Sequence, residues 1–226
     1  MVMRTPVIIV NFKSYRQVDG LSALALSRIG EDVAKETGTE IAVCPPMIEL
    51  GRVADRVSIP VLAQNVDLLG DEVVTGGTTL SAVKAAGAHG ILVNHSECRR
   101  RLADIESLVS SARALGLETV VCTNNVATSK AAAAIGPNFI AMEPPELIGG
   151  DISVTSADPG IVKDTVLEVA KLAPEVKVLT GAGVKNGLDA AKALELGTYG
   201  ILIASGVVKA KDQKAALLDL ASAMAR

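Results

Sequence analysis

Short, continuously apolar runs rich in Val, Ile and Leu punctuate the whole chain: Pro6–Asn11, Glu40–Cys44, Pro60–Asn65, Gly90–Asn94, Thr119–Cys122, Asn138–Met142, Val176–Thr180 and Gly200–Ala204. Apolar and polar positions do not alternate within them, which is the pattern of strands buried on both faces. The longer segments between are amphipathic or Ala-rich. They predict helices over Leu21–Lys35, Ala103–Leu115, Ser129–Ala134, Pro159–Leu172, Leu188–Leu196 and Gln213–Met224, with Gly30 interrupting the first. Gly116, Gly136, Gly187 and Gly197 fall near predicted helix ends, where a residue without a Cβ takes positive φ cheaply.

Strand and helix thus alternate from end to end, which implies a parallel sheet with right-handed crossovers. Eight such units in a chain of 226 residues suit an α/β fold closed as a (β/α)8 barrel, a parallel eight-stranded sheet with outer helices. An open doubly wound sheet would show GxGxxG after its first strand. Here Asn11-Phe12-Lys13-Ser14-Tyr15 follows, so the dinucleotide fingerprint is missing. No Pro/Gly/Ser-rich linker or low-complexity tract marks a boundary, and residues 1–226 read as one domain.

Composition narrows the function classes. Apolar residues make up 49% of the chain but aromatics only 2%, so the core is built from Ala, Val, Leu and Ile and lacks stacking platforms for single strands. The 22 basic and 25 acidic side chains leave a net charge of −3, no footprint for nucleic acid. Met1–Val10 does not read as a signal peptide, and no apolar stretch reaches the roughly 18 residues a bilayer span needs. Cys44, Cys98 and Cys122 form no CxxC pair, and an odd count argues against a disulfide framework. A soluble, cytoplasmic protein without a membrane partner is expected. No His/Asp/Glu cluster has ligand spacing, so neither a metal nor another cofactor is expected.

Catalytic groups of such barrels sit at the carboxyl ends of the strands, so the polar residues closing each run carry the information. The first run closes Val10-Asn11-Phe12-Lys13, and strand alternation points Asn11 and Lys13 to one side. Taken alone, a Lys after a strand is ordinarily solvated surface. The fourth closes Val93-Asn94-His95-Ser96-Glu97 and supplies one of the two histidines. A lone His at a strand end is more often structural than catalytic. Ser96 and Glu97 read as the opening of a short helix whose dipole would hold a nearby imidazole neutral. The other histidine, His89, precedes its strand and belongs to the opposite, stabilising face.

The sixth run closes at Met142-Glu143, and the gap from this run to the next is the longest in the chain, because Glu143–Ser156 intervenes before the next predicted helix. Pro144-Pro145, the apolar Leu147-Ile148 and Gly149-Gly150 follow Glu143: a stiff hinge, a tip and a supple hinge, as a lid would be built. Thr180-Gly181-Ala182-Gly183, and Ile203-Ala204-Ser205-Gly206 before a short helical stretch, offer small residues whose backbone N–H groups can approach an anion.

In this order the NFK, NHSE and EPPELIGG segments resemble the triosephosphate isomerase family, and NHSE with PPELIGG is similar to its archaeal branch. The resemblance runs from Asn11 to Gly206. It implies the TIM barrel, the fold named for that family, and the interconversion of dihydroxyacetone phosphate and D-glyceraldehyde 3-phosphate in glycolysis and gluconeogenesis. It implies Glu143 as the base, His95 as the electrophile, and Asn11 with Lys13 at the substrate's carbonyl and phosphate. It further implies backbone phosphate donors at Ile148, Gly149, Gly183, Ala204 and Ser205. Thr75-Gly76 resembles the loop tip that crosses to a neighbouring subunit, so a homo-oligomer is expected, a tetramer or else a dimer. The chain departs from the bacterial and eukaryotic pattern: its lid has Pro145-Glu146-Leu147 and no Trp, and Gly181-Ala182-Gly183 replaces Tyr-Gly-Gly-Ser. It also lacks the archaeal Gly-Thr-Gly at Gly149-Gly150-Asp151. From the residues alone, two other readings stand: a barrel aldolase using a Schiff-base lysine, and a phosphate-binding module without activity.

Overall fold

A computed structural model describes residues 2–69, 75–148, 150 and 153–225. Its strands are β1 (Val7–Asn11), β2 (Glu40–Cys44), β3 (Leu62–Ala63), β4 (Gly90–Val93), β5 (Glu118–Thr123), β6 (Phe139–Met142), β7 (Lys177–Thr180) and β8 (Gly200–Ile203). All pair in parallel, in the order β2-β1-β8-β7-β6-β5-β4-β3. A single parallel bridge from Val43 to Val61 joins the two ends into a barrel, with the Val43 N–H donating to the Pro60 carbonyl at 3.0 Å. Pro60 has no N–H to return, and β3 is shorter than its apolar run predicts.

The helices are α1 (Leu21–Thr37), α2 (Leu50–Ala54), α3 (Leu80–Ala85), α4 (Leu102–Ala114), α5 (Val126–Ala133), α6 (Val154–Ala157), α7 (Pro159–Leu172), α8 (Gly187–Glu195), α9 (Ser205–Val208) and α10 (Gln213–Met224). No helix among the described residues is long and apolar enough to cross a membrane. Strand alternation splits the core into two. Outward side chains such as Ile8, Val10, Ile41, Val43, Ile140 and Ile201 pack under the helices. Inward ones, among them Ile9, Leu62, Leu92, Val120, Phe139 and Leu179, fill the barrel itself. With both sides covered, every strand residue gains from being apolar, which is why the runs do not alternate.

Two glycines sit where they do for space. Gly30 lets α1 close on the sheet, since a Cβ there would meet Ile59 at 3.2 Å and Ile41 at 3.4 Å. Gly116, Gly136 and Gly197 take the positive φ expected of them, but Gly187 does not. It opens α8, and a Cβ would lie 2.7 Å from the Asp219 carbonyl oxygen on α10. The amino end of the barrel is plugged by Met3, whose N–H donates to both Glu118 carboxylate oxygens at 3.2 and 3.1 Å. His89 lies on that face, its Nδ1 accepting the Val61 N–H at 3.3 Å.

Candidate active site

At the carboxyl end of the strands one cleft is lined by Asn11, Lys13, His95 and Glu143, and beside them by Ile148, Gly183, Ala204 and Ser205. Gly149 lies outside the described residues. Asn11 points inward as alternation requires. Lys13 reaches the cleft for a different reason: β1 has ended, and Lys13 turns with a left-handed φ of 48°. Its N–H donates to Asn11 Oδ1 at 3.0 Å, while its carbonyl accepts Gln64 Nε2 at 2.9 Å. Gln64 also donates to the Cys44 carbonyl at 2.9 Å, so a strained turn is pinned between three strands. Lys13 Nζ donates to Glu97 Oε1 at 2.9 Å, aiming the ammonium across the cleft.

His95 is buried just beyond β4. Its Nδ1 accepts the Glu97 N–H at 3.2 Å, which leaves the proton of a neutral ring on Nε2. Burial, reinforced by the nearby Lys13 and Arg99, pushes the imidazole down to about 4. The neutrality expected from the sequence therefore has another cause. Ser96 and Glu97 do not open a helix; they form a turn in which the Cys98 N–H donates to the His95 carbonyl at 2.8 Å. Exclusion of water, together with the nearby cations, keeps the ring uncharged.

Glu143 follows β6, its N–H held by the Thr123 carbonyl at 2.8 Å. Its side chain is buried, and burial raises the carboxyl to about 7, against the opposing pull of the Cys122 thiol, Lys13 and Arg99. Among the described residues Oε2 has no hydrogen-bond partner, and it lies 3.9 Å from His95 Nε2, too far for a bond between them. A buried carboxylate oxygen left without a partner is costly, and it marks the place where a reacting hydrogen would sit. Gly181 gives this carboxyl its room: a Cβ there would stand 2.7 Å from Glu143 Oε1.

After Glu143, Pro145–Leu147 form a 3-10 turn. The Ile148 N–H donates to the Pro145 carbonyl at 3.2 Å and the Gly150 N–H to the Leu147 carbonyl at 3.1 Å. In this conformation Ile148 lines the cleft and keeps its N–H within the turn. Across from it, Ala182 and Gly183 both take positive φ, 66° and 73°, and α9 opens at Ser205 with its amino end at the cleft. First-turn N–H groups of a helix have no partner within it, which suits an anion.

The sequence assigns no role to Glu97, Gln64 or Cys122. Glu97 falls where the sequence predicts the opening of a short helix, and Cys122 enters only as a disulfide candidate, although its inward parity with Val120 places it in the barrel beneath Glu143. Among the described residues no group of three or more His, Cys, Asp or Glu is placed to hold a metal.

A family model described as triosephosphate isomerase matches residues 6–224. Triosephosphate isomerase of Methanosarcina barkeri is 48% identical over 96% of this chain and 98% of its own length. That of Methanobacterium bryantii is 48% identical over 98% of both chains. The enzyme of Methanothermobacter thermautotrophicus is 49% identical over 96% of this chain and 95% of its own.

Proposed function

On the premise that the chain belongs to the triosephosphate isomerase family, in its archaeal form, we propose how its residues interconvert dihydroxyacetone phosphate and D-glyceraldehyde 3-phosphate. The observation that carries this reading is the unpartnered Glu143 Oε2 facing the Nε2–H of a neutral His95.

Glu143 removes a proton from the carbon next to the substrate carbonyl and returns it to the former carbonyl carbon. A carboxyl raised to about 7 is a stronger base than a solvated one and still ionises near neutrality. As the C–H electrons move into the new C=C bond, the carbonyl oxygen becomes the enediolate oxygen and accepts from His95 Nε2–H; the proton of the neighbouring hydroxyl passes to this oxygen, so that the new carbonyl forms when Glu143 returns the carbon proton. An uncharged imidazole does this without drawing Glu143 into a salt bridge. Lys13, held by Glu97, and Asn11 face the substrate, and the ammonium offsets the joint charge of phosphate and enediolate. Backbone N–H groups of Gly183, Ala204 and Ser205 receive the phosphate, joined by those of Ile148 and Gly149 once lid 144–150 swings in. Exclusion of water by the lid keeps the enediolate from losing phosphate. Proton transfer through these side chains calls for no cofactor.

The lysine-based alternative lacks its nucleophile, because β6 is Phe-Ile-Ala-Met and is followed by Glu143. We place the enzyme in the cytoplasm, in glycolysis and gluconeogenesis, as a homo-oligomer, tetramer or dimer. Ile48 and Leu188 support the assembly: they are 89% and 83% exposed, large apolar side chains that a subunit contact would cover. Thr75 and Gly76 form an exposed turn, as a segment reaching a neighbour would. A coupled assay run in both directions tests the function; a folded protein inactive in each would overturn it. Light scattering tests the assembly, and a single-chain mass would overturn that part.

A further inference from the structure

Asn94 does not line the cleft, yet three hydrogen bonds tie it in place at the start of the turn that carries His95. Its backbone is left-handed, φ 60°. Its Nδ2 donates to the Cys122 carbonyl of β5 at 2.9 Å, and its Oδ1 accepts the Arg100 N–H at 2.9 Å. These partners set the amide's orientation, since a carbonyl can only accept and an N–H only donate. The Asn94 carbonyl accepts Arg99 Nη1 at 2.8 Å, and the other arm of Arg99 donates to Asn124 Oδ1.

The register explains the arrangement. β4 and β5 pair as far as Val93 opposite Val121. One residue later the backbone of β4 must turn aside to present His95, and ladder pairing stops. The Asn94 side chain reaches the next carbonyl of β5, Cys122, and so continues the attachment that the backbone has given up. The carbonyl after that, Thr123, holds the N–H of Glu143. Two successive carbonyls of β5 thus anchor the two loops that bear the acid–base pair, one through a side chain and one through the main chain.

We propose that Asn94 is a positioning residue: by tying the 94–100 turn to β5 it sets the distance between His95 Nε2 and Glu143 Oε2. The inference rests on the reading of those two residues as the proton-transfer pair. A residue needed only for the turn could be replaced by glycine, which takes this φ freely. A residue needed for placement could not.

The test compares wild type, Asn94→Gly and Asn94→Asp by kcat and KM in the coupled assay and by ¹⁵N NMR of the His95 imidazole. Asn94→Gly keeps the backbone geometry and loses both side-chain bonds. Asn94→Asp tolerates the left-handed φ and still accepts from Arg100, but cannot donate to Cys122. In both, kcat is expected to fall about 10- to 100-fold, because a displacement of about 1 Å at the reacting atoms can cost that much. KM should move by less than about threefold, since the groups that bind substrate are untouched. The His95 nitrogen resonances should shift in both variants. Wild-type kcat in Asn94→Gly with unshifted His95 resonances would overturn the inference, as would a loss confined to KM. If Asn94→Gly does not fold, Asn94→Asp decides by the same readouts. Should wild type fail to isomerise, the proposed function falls, and the His95 resonances of the variants still decide whether Asn94 places the ring.

Discussion

His95 Nε2 and Glu143 Oε2 face each other across 3.9 Å, and among the described residues no group bonds that carboxylate oxygen. The gap is too wide for a hydrogen bond and too narrow for bulk solvent, so position within it governs the chemistry. Shortening the base by one methylene in Glu143→Asp should lower kcat by about 10²-fold or more, with the melting temperature little changed. Steady-state kinetics of the folded variant check this; near-wild-type turnover would remove Glu143 from its proposed role.

The same two groups make a linked prediction about stability and pH. Burial pushes Glu143 up from 4.5 to about 7 and His95 down from 6.5 to about 4. Between pH 4.5 and 6.5 the unfolded chain carries one proton on the pair, on the imidazole; the folded chain also carries one, on the carboxyl. Their contributions to the slope of stability with pH therefore cancel. Single substitutions should unmask them. In Glu143→Gln only the depressed imidazole remains, the unfolded state binds more protons, and stability should rise from pH 4 to 6.5. In His95→Gln only the raised carboxyl remains, and its contribution, complete below pH 4.5, should be lost as pH rises through 7. Each slope should reach at most roughly 1.4 kcal/mol per pH unit. Denaturant unfolding across this range measures both, and curves parallel to wild type would contradict the assignment.

Gly181→Ala should act on the base without touching it chemically. The new Cβ would sit 2.7 Å from both Glu143 Oε1 and the Leu202 carbonyl oxygen. Relief of that overlap should cost about 1–3 kcal/mol of stability and displace the carboxyl, lowering kcat more than it changes KM. A variant with unaltered kcat would show that the carboxyl does not need its present position.

Lys13 Nζ is held at 2.9 Å from Glu97 Oε1. Replacement by Met removes the cation that faces developing negative charge, and kcat/KM should fall by about 10²–10³-fold. Binding of inorganic phosphate should weaken in the same variant. Phosphate affinity equal to wild type would place the ammonium away from the anion.

His89→Gln provides the contrast. On the opposite face its Nδ1 accepts the Val61 N–H, at 3.3 Å, in a structural contact. Loss of that bond should cost about 1 kcal/mol and leave kcat unchanged. A marked fall in kcat would mean that the two ends of the barrel communicate.

Much of the architecture was legible because its causes are local. Each strand is covered on two sides, so its apolar run stands out in one dimension, and α1, α4, α7 and α10 are long enough for helical patterning to show. The helices α2, α3 and α6 have four to six residues, too few for a 3.6-residue period to appear, and all three were missed. The strand-end motifs likewise brought Asn11, Lys13, His95 and Glu143 forward, because a polar residue that closes a buried run is itself conspicuous.

Residue order alone thus sufficed for the closed barrel, for its orientation and for the side chains at its mouth. Their chemical state was another matter. Lys13 meets Glu97 across 84 positions of chain, and no local pattern encodes that pairing or the left-handed turn that makes it reachable. The expected helix dipole beside His95 proved to be a plain turn, and the ring is neutral because water is excluded and cations are near. Desolvation depends on everything packed around a group, contributed here from every part of the chain. Which oxygen is left without a partner, and which proton stays on which nitrogen, are therefore settled only when the barrel closes.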